Sequence, residues 1–277
     1  MKKILYALIL ISTFGYAKLN IIASILPEQA LIQSIGGEHV HVALMVKPGN
    51  SPHTYEPKPS QMKDIARASL YLAMGVEYEK VWLPKFANQN PKMQIIDLSE
   101  GIEKYPISGE ANHHTKHLDP HIWTAPENLK KIAKHIYDVL SQTDSTHQAE
   151  YQKHYKSLIL TIEETDKQLH QILDPLSKEQ KRFIVFHPSW GYFARAYDLE
   201  QIPIEIAGKS PKPRAVQRLI TRARKLGIQT ILTSPEFSDA VAKQIANALK
   251  INVLKISPME PKWNENLLKL AKTISNN

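Results

Sequence analysis

Short apolar runs alternate with helical patterns along most of the chain, and this alternation constrains the fold more than any other feature. Each run spans five to seven residues and is followed by a segment with helical spacing. This rhythm is typical of parallel sheets covered on both faces by helices. Strands are predicted at 19–25, 41–46, 69–74, 94–98, 183–187, 202–206, 229–233 and 252–256, and helices at 28–35, 60–67, 78–88, 190–197, 214–226, 239–249 and 264–274.

The two sets of strands are separated by a stretch that has no glycine between Glu110 and Trp190. Within it, residues 146–173 also lack proline and place apolar residues at helical spacing. One helix of this length would run about 42 Å and would end at Pro175. A coiled-coil partner is the alternative, but the periodic segment is too short to favour it. The predicted fold class is therefore α/β, with two lobes, each a mostly parallel sheet covered by helices, joined by one long rigid helix. The predicted boundaries are 18–140, 146–174 and 180–277.

The N-terminus predicts export. Lys2 and Lys3 precede an apolar run that ends at Gly15-Tyr16-Ala17, the pattern of a signal peptide over residues 1–17. The run is shorter than the roughly 20 residues that span a bilayer. The chain has no cysteine, so it has neither disulfides nor a lipobox for acylation. We expect a mature protein that is soluble and periplasmic.

The formal net charge of +8 raises the question of a polyanionic partner. Lysines are scattered along the chain without a dense basic run interleaved with aromatic residues. The sequence therefore favours a soluble basic surface over nucleic-acid binding.

Three histidines share a distinctive setting. His53 follows the strand at 41–46, His187 closes the strand at 183–187, and His121 lies in "LDPHIW". Open α/β sheets bind ligands beyond the carboxyl ends of their strands, and a neighbouring proline restricts the backbone at each of the three. A single histidine in such a chain is more often structural, but three imidazoles supply most of a tetrahedral zinc shell. The pattern therefore indicates a metal site.

Four segments, in this order, resemble a known family: "PGNSPHTYEPKPSQ", "DPHIWTAPEN", "HPSWGYFARAYDL" and "SPEFSDAVAKQIA". They are similar to the ZnuA-like periplasmic zinc-binding protein of the zinc ABC importer, in the cluster A-I metal solute-binding family. The resemblance covers essentially the whole mature chain. It implies that His53 and His121 from the first lobe and His187 from the second hold a metal in the cleft.

The resemblance also implies a function without catalysis. A ZnuA-like protein captures Zn²⁺, its transported ligand, and delivers it to an inner-membrane ABC permease. We expect a monomer that does not span the membrane. Manganese-binding relatives carry glutamate at the position of His187, and imidazole suits Zn²⁺ better than Mn²⁺. The alternatives are an Mn²⁺- or Fe²⁺-binding member of the family, or a three-histidine zinc hydrolase or hydratase, for which the chain shows neither HExxH nor GxSxG.

The sequence does not identify the fourth metal ligand. Many relatives place an aspartate where this chain has Ser257. Water is the expected replacement, with Glu205, Glu260 or a histidine from 113–117 as alternatives. A shell without a carboxylate would also lack the charge that offsets the ion, so weaker binding is predicted.

For three further sets of side chains, the sequence allows two interpretations of their role. His113, His114 and His117 resemble a short His-rich loop, so they are either a second, weaker metal site or a flexible surface loop. Asp119 is expected to orient His121 or to cap the following helix. Five aromatic residues would either exclude water from the cleft or pack in the core: Tyr55, Trp123, Trp190, Tyr192 and Phe193.

Overall fold

The computed structural model describes residues 18–108, 118–205 and 209–276. The predicted signal peptide at 1–17 and the histidines at 113, 114 and 117 lie outside these ranges. Within the ranges, no helix has the length and apolar character needed to cross a membrane.

Two four-stranded parallel sheets form the centres of the two lobes. The first has the order β2-β1-β3-β4 and the second β6-β5-β7-β8. The inner strands β3 and β7 are buried along their whole length, as expected where helices cover both faces. The prediction of eight strands is confirmed: β1 Leu19–Ala23, β2 Val40–Leu44, β3 Leu70–Ala73, β4 Gln94–Asp97, β5 Arg182–Val185, β6 Glu200–Pro203, β7 Thr230–Thr233 and β8 Asn252–Lys255.

Nine helices surround the sheets within the described residues. Three of them have proline as their first residue, where the missing N–H costs nothing. The helix α4 was not predicted, although its apolar residues recur at helical spacing. The bounds are α1 Leu26–Gly36, α2 Pro59–Arg67, α3 Glu77–Gln89, α4 Pro126–Thr143, α5 Gln148–Leu173, α6 Gly191–Ala196, α7 Pro213–Leu226, α8 Ala240–Leu249 and α9 Trp263–Ser275.

The long helix α5 confirms the predicted connection between the lobes. Its 26 residues span about 39 Å. It packs against α1 and α4 of the first lobe and α9 near the C-terminus. Tyr151, Ile162, Leu169 and Leu173 are fully buried along it. The connector is therefore built into the hydrophobic core, which opposes hinge motion along its length.

Direct hydrogen bonds also join the lobes. Trp123 donates its indole N–H to the carbonyl oxygen of Pro258 at 2.9 Å. Tyr192 donates its hydroxyl to the carbonyl oxygen of Asp119, also at 2.9 Å. Both bonds are buried, and both involve residues within two positions of His121. The cleft is thus closed around this histidine.

Candidate metal centre

His53 lies in the loop between β2 and α2. Its backbone N–H lies 3.3 Å from the hydroxyl oxygen of Ser51. The carbonyl oxygen of Pro52 accepts a hydrogen bond from the N–H of Tyr78 at 3.3 Å. This contact fastens the loop to the first turn of α3, where Glu77 lies 2.9 Å from Nδ1 of His53. The loop and the helix therefore hold the imidazole from two sides.

His121 is held by the residue two positions before it. Oδ1 of Asp119 lies 2.7 Å from Nδ1 of His121 and 3.0 Å from its backbone nitrogen. Both side chains are almost completely buried. Thr124 donates its hydroxyl to the carbonyl oxygen of His121 at 2.9 Å. Of the two roles expected for Asp119, the structure shows the orientation of His121.

His187 follows β5 and is held by Glu205, which follows β6. The register pairs Val185 with Pro203, so His187 and Glu205 each lie two residues beyond that pair. Nδ1 of His187 is 3.0 Å from Oε2 of Glu205. Burial lowers the pKa of His187 to about 4, although the Glu205 carboxylate acts in the opposite direction. The imidazole is therefore neutral at physiological pH.

The three rings converge on one point. Their centroids are 4.6 Å apart for His53 and His187, 5.2 Å for His121 and His187, and 5.7 Å for His53 and His121. One ligand atom from each lies within 4.8 Å of the others. In the described residues, no other group of three histidine or acidic side chains meets this criterion.

The protonation pattern explains why this convergence suits a cation. An ionised carboxylate only accepts hydrogen bonds, so a carboxylate at each Nδ1 fixes the proton there and leaves a lone pair on Nε2. Nε2 of His53 and Nε2 of His187 face each other at 2.9 Å. Two lone pairs at this distance repel each other unless a cation lies between them. Zn²⁺ bound at 2.0–2.1 Å in tetrahedral geometry would separate the nitrogens to about 3.3 Å, a shift of a few tenths of an ångström.

Comparison with known proteins agrees with this geometry. The family described as zinc-uptake complex component A, periplasmic, matches residues 21–276. The chain belongs to this family. A solved structure described as ZnuA is 35% identical, covers 94% of this chain and 99% of its own, and superposes with a TM-score of 0.88. The high-affinity zinc uptake system protein ZnuA of Bacillus subtilis is 27% identical over 257 residues, covering 88% of this chain and 79% of its own.

A manganese-bound periplasmic metal-binding protein from Candidatus Liberibacter asiaticus shares the fold. It is 21% identical, covers 94% of this chain and 99% of its own, and has a TM-score of 0.80. The resemblance deduced from the four motifs is thus confirmed at the level of the zinc-uptake family. Its members are metal-binding proteins of ABC importers and not enzymes, as predicted for this chain.

The zinc-uptake fold surrounds the three imidazoles with negative charge. Glu77, Asp119 and Glu205 each contact one Nδ1. Burial alone would raise the pKa of Glu77, but its hydrogen bond to His53 and its electrostatic interactions with His53 and His121 outweigh that effect and lower the pKa to about 2. The sequence predicted a site without compensating charge. The structure contains three carboxylates at the site, but each contacts an Nδ1 atom and not the Nε2 side of its ring.

The carboxylates named as alternatives for the fourth ligand do not converge with the three imidazoles. Glu205 contacts Nδ1 of His187, on the side of the ring away from the convergence point. Ser257 donates its hydroxyl to Oε1 of Glu236 at 2.6 Å and accepts from the N–H of Met259 at 3.0 Å. Glu260 does not join the three histidines in the group of converging ligand atoms.

The aromatic surroundings were only partly predicted. The ring of Phe237 stacks on His187, with centroids 4.5 Å apart, and also lies 6.1 Å from His53. It was not singled out from the sequence. Trp123 lies 5.4 Å from His121, and Tyr192 bonds to Asp119. The other three predicted aromatic residues are buried within the main hydrophobic cluster: Tyr55, Trp190 and Phe193.

Proposed function

We propose that the chain captures Zn²⁺ through Nε2 of His53, His121 and His187. The observation that carries this proposal is the convergence of three imidazoles whose Nδ1 atoms all face carboxylates. Such pairs fix the tautomer and raise the basicity of the ligating nitrogen. The fourth position is assigned to water or another exchangeable ligand, which leaves room for transfer of the cargo.

The choice of zinc rests on the donor atoms. Three neutral nitrogens form a shell of intermediate softness, which suits Zn²⁺, whereas Mn²⁺ prefers carboxylate and water oxygens. The carboxylates of this site are engaged with Nδ1 atoms and do not converge with the Nε2 group. The solved structures that share this fold include both zinc- and manganese-bound proteins, so the ligand set and not the fold decides the metal.

Competitive titration of chelator-stripped protein tests the assignment. We expect Zn²⁺ to displace Mn²⁺ and Fe²⁺ at equal free concentrations. Replacement of His187 by alanine should lower zinc affinity by more than about 100-fold, because it removes a direct ligand. His41→Ala is the matched control, since His41 is exposed on β2. Preferential binding of manganese, or full zinc affinity in His187→Ala, would overturn the proposal.

Delivery to an inner-membrane ABC permease completes the proposed function. It is supported by membership of the zinc-uptake family and by the N-terminal sequence, which predicts export and cleavage near Ala17. The proposed mature protein is a periplasmic monomer. In cells that lack their own zinc-binding component, expression of the chain with its permease should restore growth under zinc limitation, and the His187→Ala variant should not.

The histidines at 113, 114 and 117 are proposed as a second, weaker metal-collecting site. Imidazoles close together in sequence are common zinc-binding groups. Replacing all three with alanine should reduce the number of zinc ions bound at high zinc concentration and leave the tight site unchanged. Unchanged stoichiometry would assign the segment no role in metal binding.

A further inference from the structure

Positive charge is concentrated in one part of the chain. Residues 181–277 contain 16 lysines and arginines but only seven aspartates and glutamates. Residues 206–235 contain seven cationic side chains and no acidic one. The lysines and arginines that give the chain its net positive charge are therefore concentrated in its C-terminal part, which includes α7.

The helix α7 carries five of these seven cationic side chains, and three of the five lie on one stripe. Its buried side is formed by Val216, Ile220 and Ala223. At 100° per residue, Arg214, Arg218 and Lys225 lie on the opposite side, and all three are exposed. The stripe spans about 17 Å along the helix, at 1.5 Å per residue. We call Arg214, Arg218 and Lys225 the α7 stripe.

The α7 stripe has no partner inside the described protein. Arg222, beside it, is paired with Glu200, and Arg224 donates to the carbonyl oxygen of Ala248 at 3.3 Å. Among the described residues, no carboxylate lies within ion-pair distance of the three stripe side chains. Arg214, Arg218 and Arg222 are spaced four residues apart, where like charges destabilise a helix. The stripe therefore does not serve the stability of the fold.

The charge also does not serve metal capture, because a cationic surface lowers the local concentration of a divalent cation. The stripe would attract an anionic partner. The stripe runs along the outer side of a helix and consists of long, flexible side chains. None of the exposed large hydrophobic residues of the described protein lies on α7. Contact by charge alone, without an apolar anchor, is typical of proteins that associate peripherally with anionic lipid headgroups.

We propose that the α7 stripe docks the protein on an anionic phospholipid surface. Each lysine or arginine near such a surface strengthens binding about fivefold. The stripe follows the side of the lobe, whereas the metal centre lies beyond the carboxyl ends of the strands. Docking therefore leaves the metal-binding edge free to meet a membrane partner. The inference rests on charge alone and does not depend on the identity of the metal.

Sedimentation with lipid vesicles tests this inference on the mature full-length chain. Vesicles of phosphatidylglycerol and phosphatidylcholine are compared with vesicles of phosphatidylcholine alone, at about 0.05 M and about 0.5 M salt. We expect binding only to the anionic vesicles and loss of binding at high salt. The triple variant Arg214→Glu, Arg218→Glu, Lys225→Glu should bind the anionic vesicles at least about 100-fold more weakly.

A matched control changes the net charge equally on the first lobe. Lys63, Arg67 and Lys92 are exposed and form no ion pair with the described residues, and their replacement by glutamate should leave vesicle binding nearly unchanged. A glutamine version of the stripe variant, with circular dichroism of all variants, separates loss of charge from loss of fold. Zinc titration of the same proteins should show unchanged affinity, which keeps this test distinct from that of the proposed function.

Three outcomes would overturn the proposal. The first is equal binding of the wild type to both kinds of vesicle. The second is an equal effect of the control and stripe variants, which would assign binding to net charge. The third is a stripe variant that reduces zinc uptake by cells although the wild type ignores anionic vesicles. That result would assign the stripe to an acidic protein partner.

Discussion

At the scale of single residues, the carboxylate behind each imidazole is the strongest test of the site. Asp119→Ala removes the acceptor for Nδ1 of His121 and leaves the tautomer and the ring orientation unfixed. Loss of such a partner typically costs 10- to 100-fold in metal affinity. We expect zinc affinity to fall by about this factor in competitive titration.

Asp119→Asn keeps an acceptor oxygen but removes the charge, so its loss of affinity should be smaller. Asp138→Asn, at an ion pair with Lys134 on α4, provides the control for a change of one charge elsewhere. Wild-type affinity in Asp119→Ala would show that His121 is oriented by its backbone alone.

Gly191, in the second lobe, leaves the space that the carboxylate of Asp119 occupies. A Cβ atom at this position would overlap Oδ2 of Asp119, and the backbone there does not have a positive φ. The cost of Gly191→Ala is therefore steric. Displacing the carboxylate should tilt His121 and lower zinc affinity about tenfold.

A double-mutant cycle identifies the cause of this loss. In an Asp119→Ala background the overlapping atoms are gone, so Gly191→Ala should cause little further loss of zinc affinity. Equal losses in both backgrounds would show that the alanine acts elsewhere, for example on α6 itself.

At the scale of elements, the buried carboxylate of Glu79 joins the ends of β1 and β3. It accepts hydrogen bonds from the hydroxyl of Ser24 and from the backbone N–H groups of Met74 and Gly75. Burial is the largest influence on its pKa and raises it from 4.5 to about 7. The native state therefore holds this proton more tightly than the unfolded chain does.

The sign of the pH dependence follows from this shift. The contribution of Glu79 to stability is complete below pH 4.5 and is lost as the pH rises through about 7. The loss is of the order of 3 kcal/mol. Chemical denaturation from pH 4.5 to 8 should show a correspondingly smaller fall in the free energy of unfolding for Glu79→Gln than for the wild type. Parallel curves for the two proteins would contradict the assignment.

The helices and strands also show which features of the structure can be predicted from the sequence. Apolar runs located all eight strands, because a run of apolar residues is a local feature of the sequence, even in β4 and β8, which are only partly buried. The helix α4 has an equally local apolar spacing, although it was not predicted: Leu129, Ile132, Ile136 and Leu140. Pairs such as His53 with Glu77 and His187 with Glu205 are a different case. They depend on which strands become neighbours, and nothing in the local sequence of either partner specifies that.

At the scale of the whole molecule, the three histidines differ in how the surrounding lobes hold them. His121 belongs to the first lobe by chain order. Its neighbours Asp119 and Trp123 are hydrogen-bonded to Tyr192 and Pro258 of the second lobe. His121 and His187 therefore form one fixed half of the site. His53 lies on a loop that is held within the first lobe, by the bond of Pro52 with Tyr78, the contact of Glu77 with the ring and the bonds of Tyr55 and Lys58 with Gln61.

This asymmetry predicts which part of the protein moves when the bound metal is released. The long helix α5 and the hydrogen bonds across the cleft oppose separation of the lobes, so release should proceed through the loop at 47–58. Hydrogen–deuterium exchange of zinc-loaded and stripped protein should show the largest gain in exchange in that loop, with little change at 118–125. Trp123→Phe removes one bond across the cleft and should extend the gain to 118–125. Equal gains on both sides of the cleft in the wild type would show that the lobes themselves move apart.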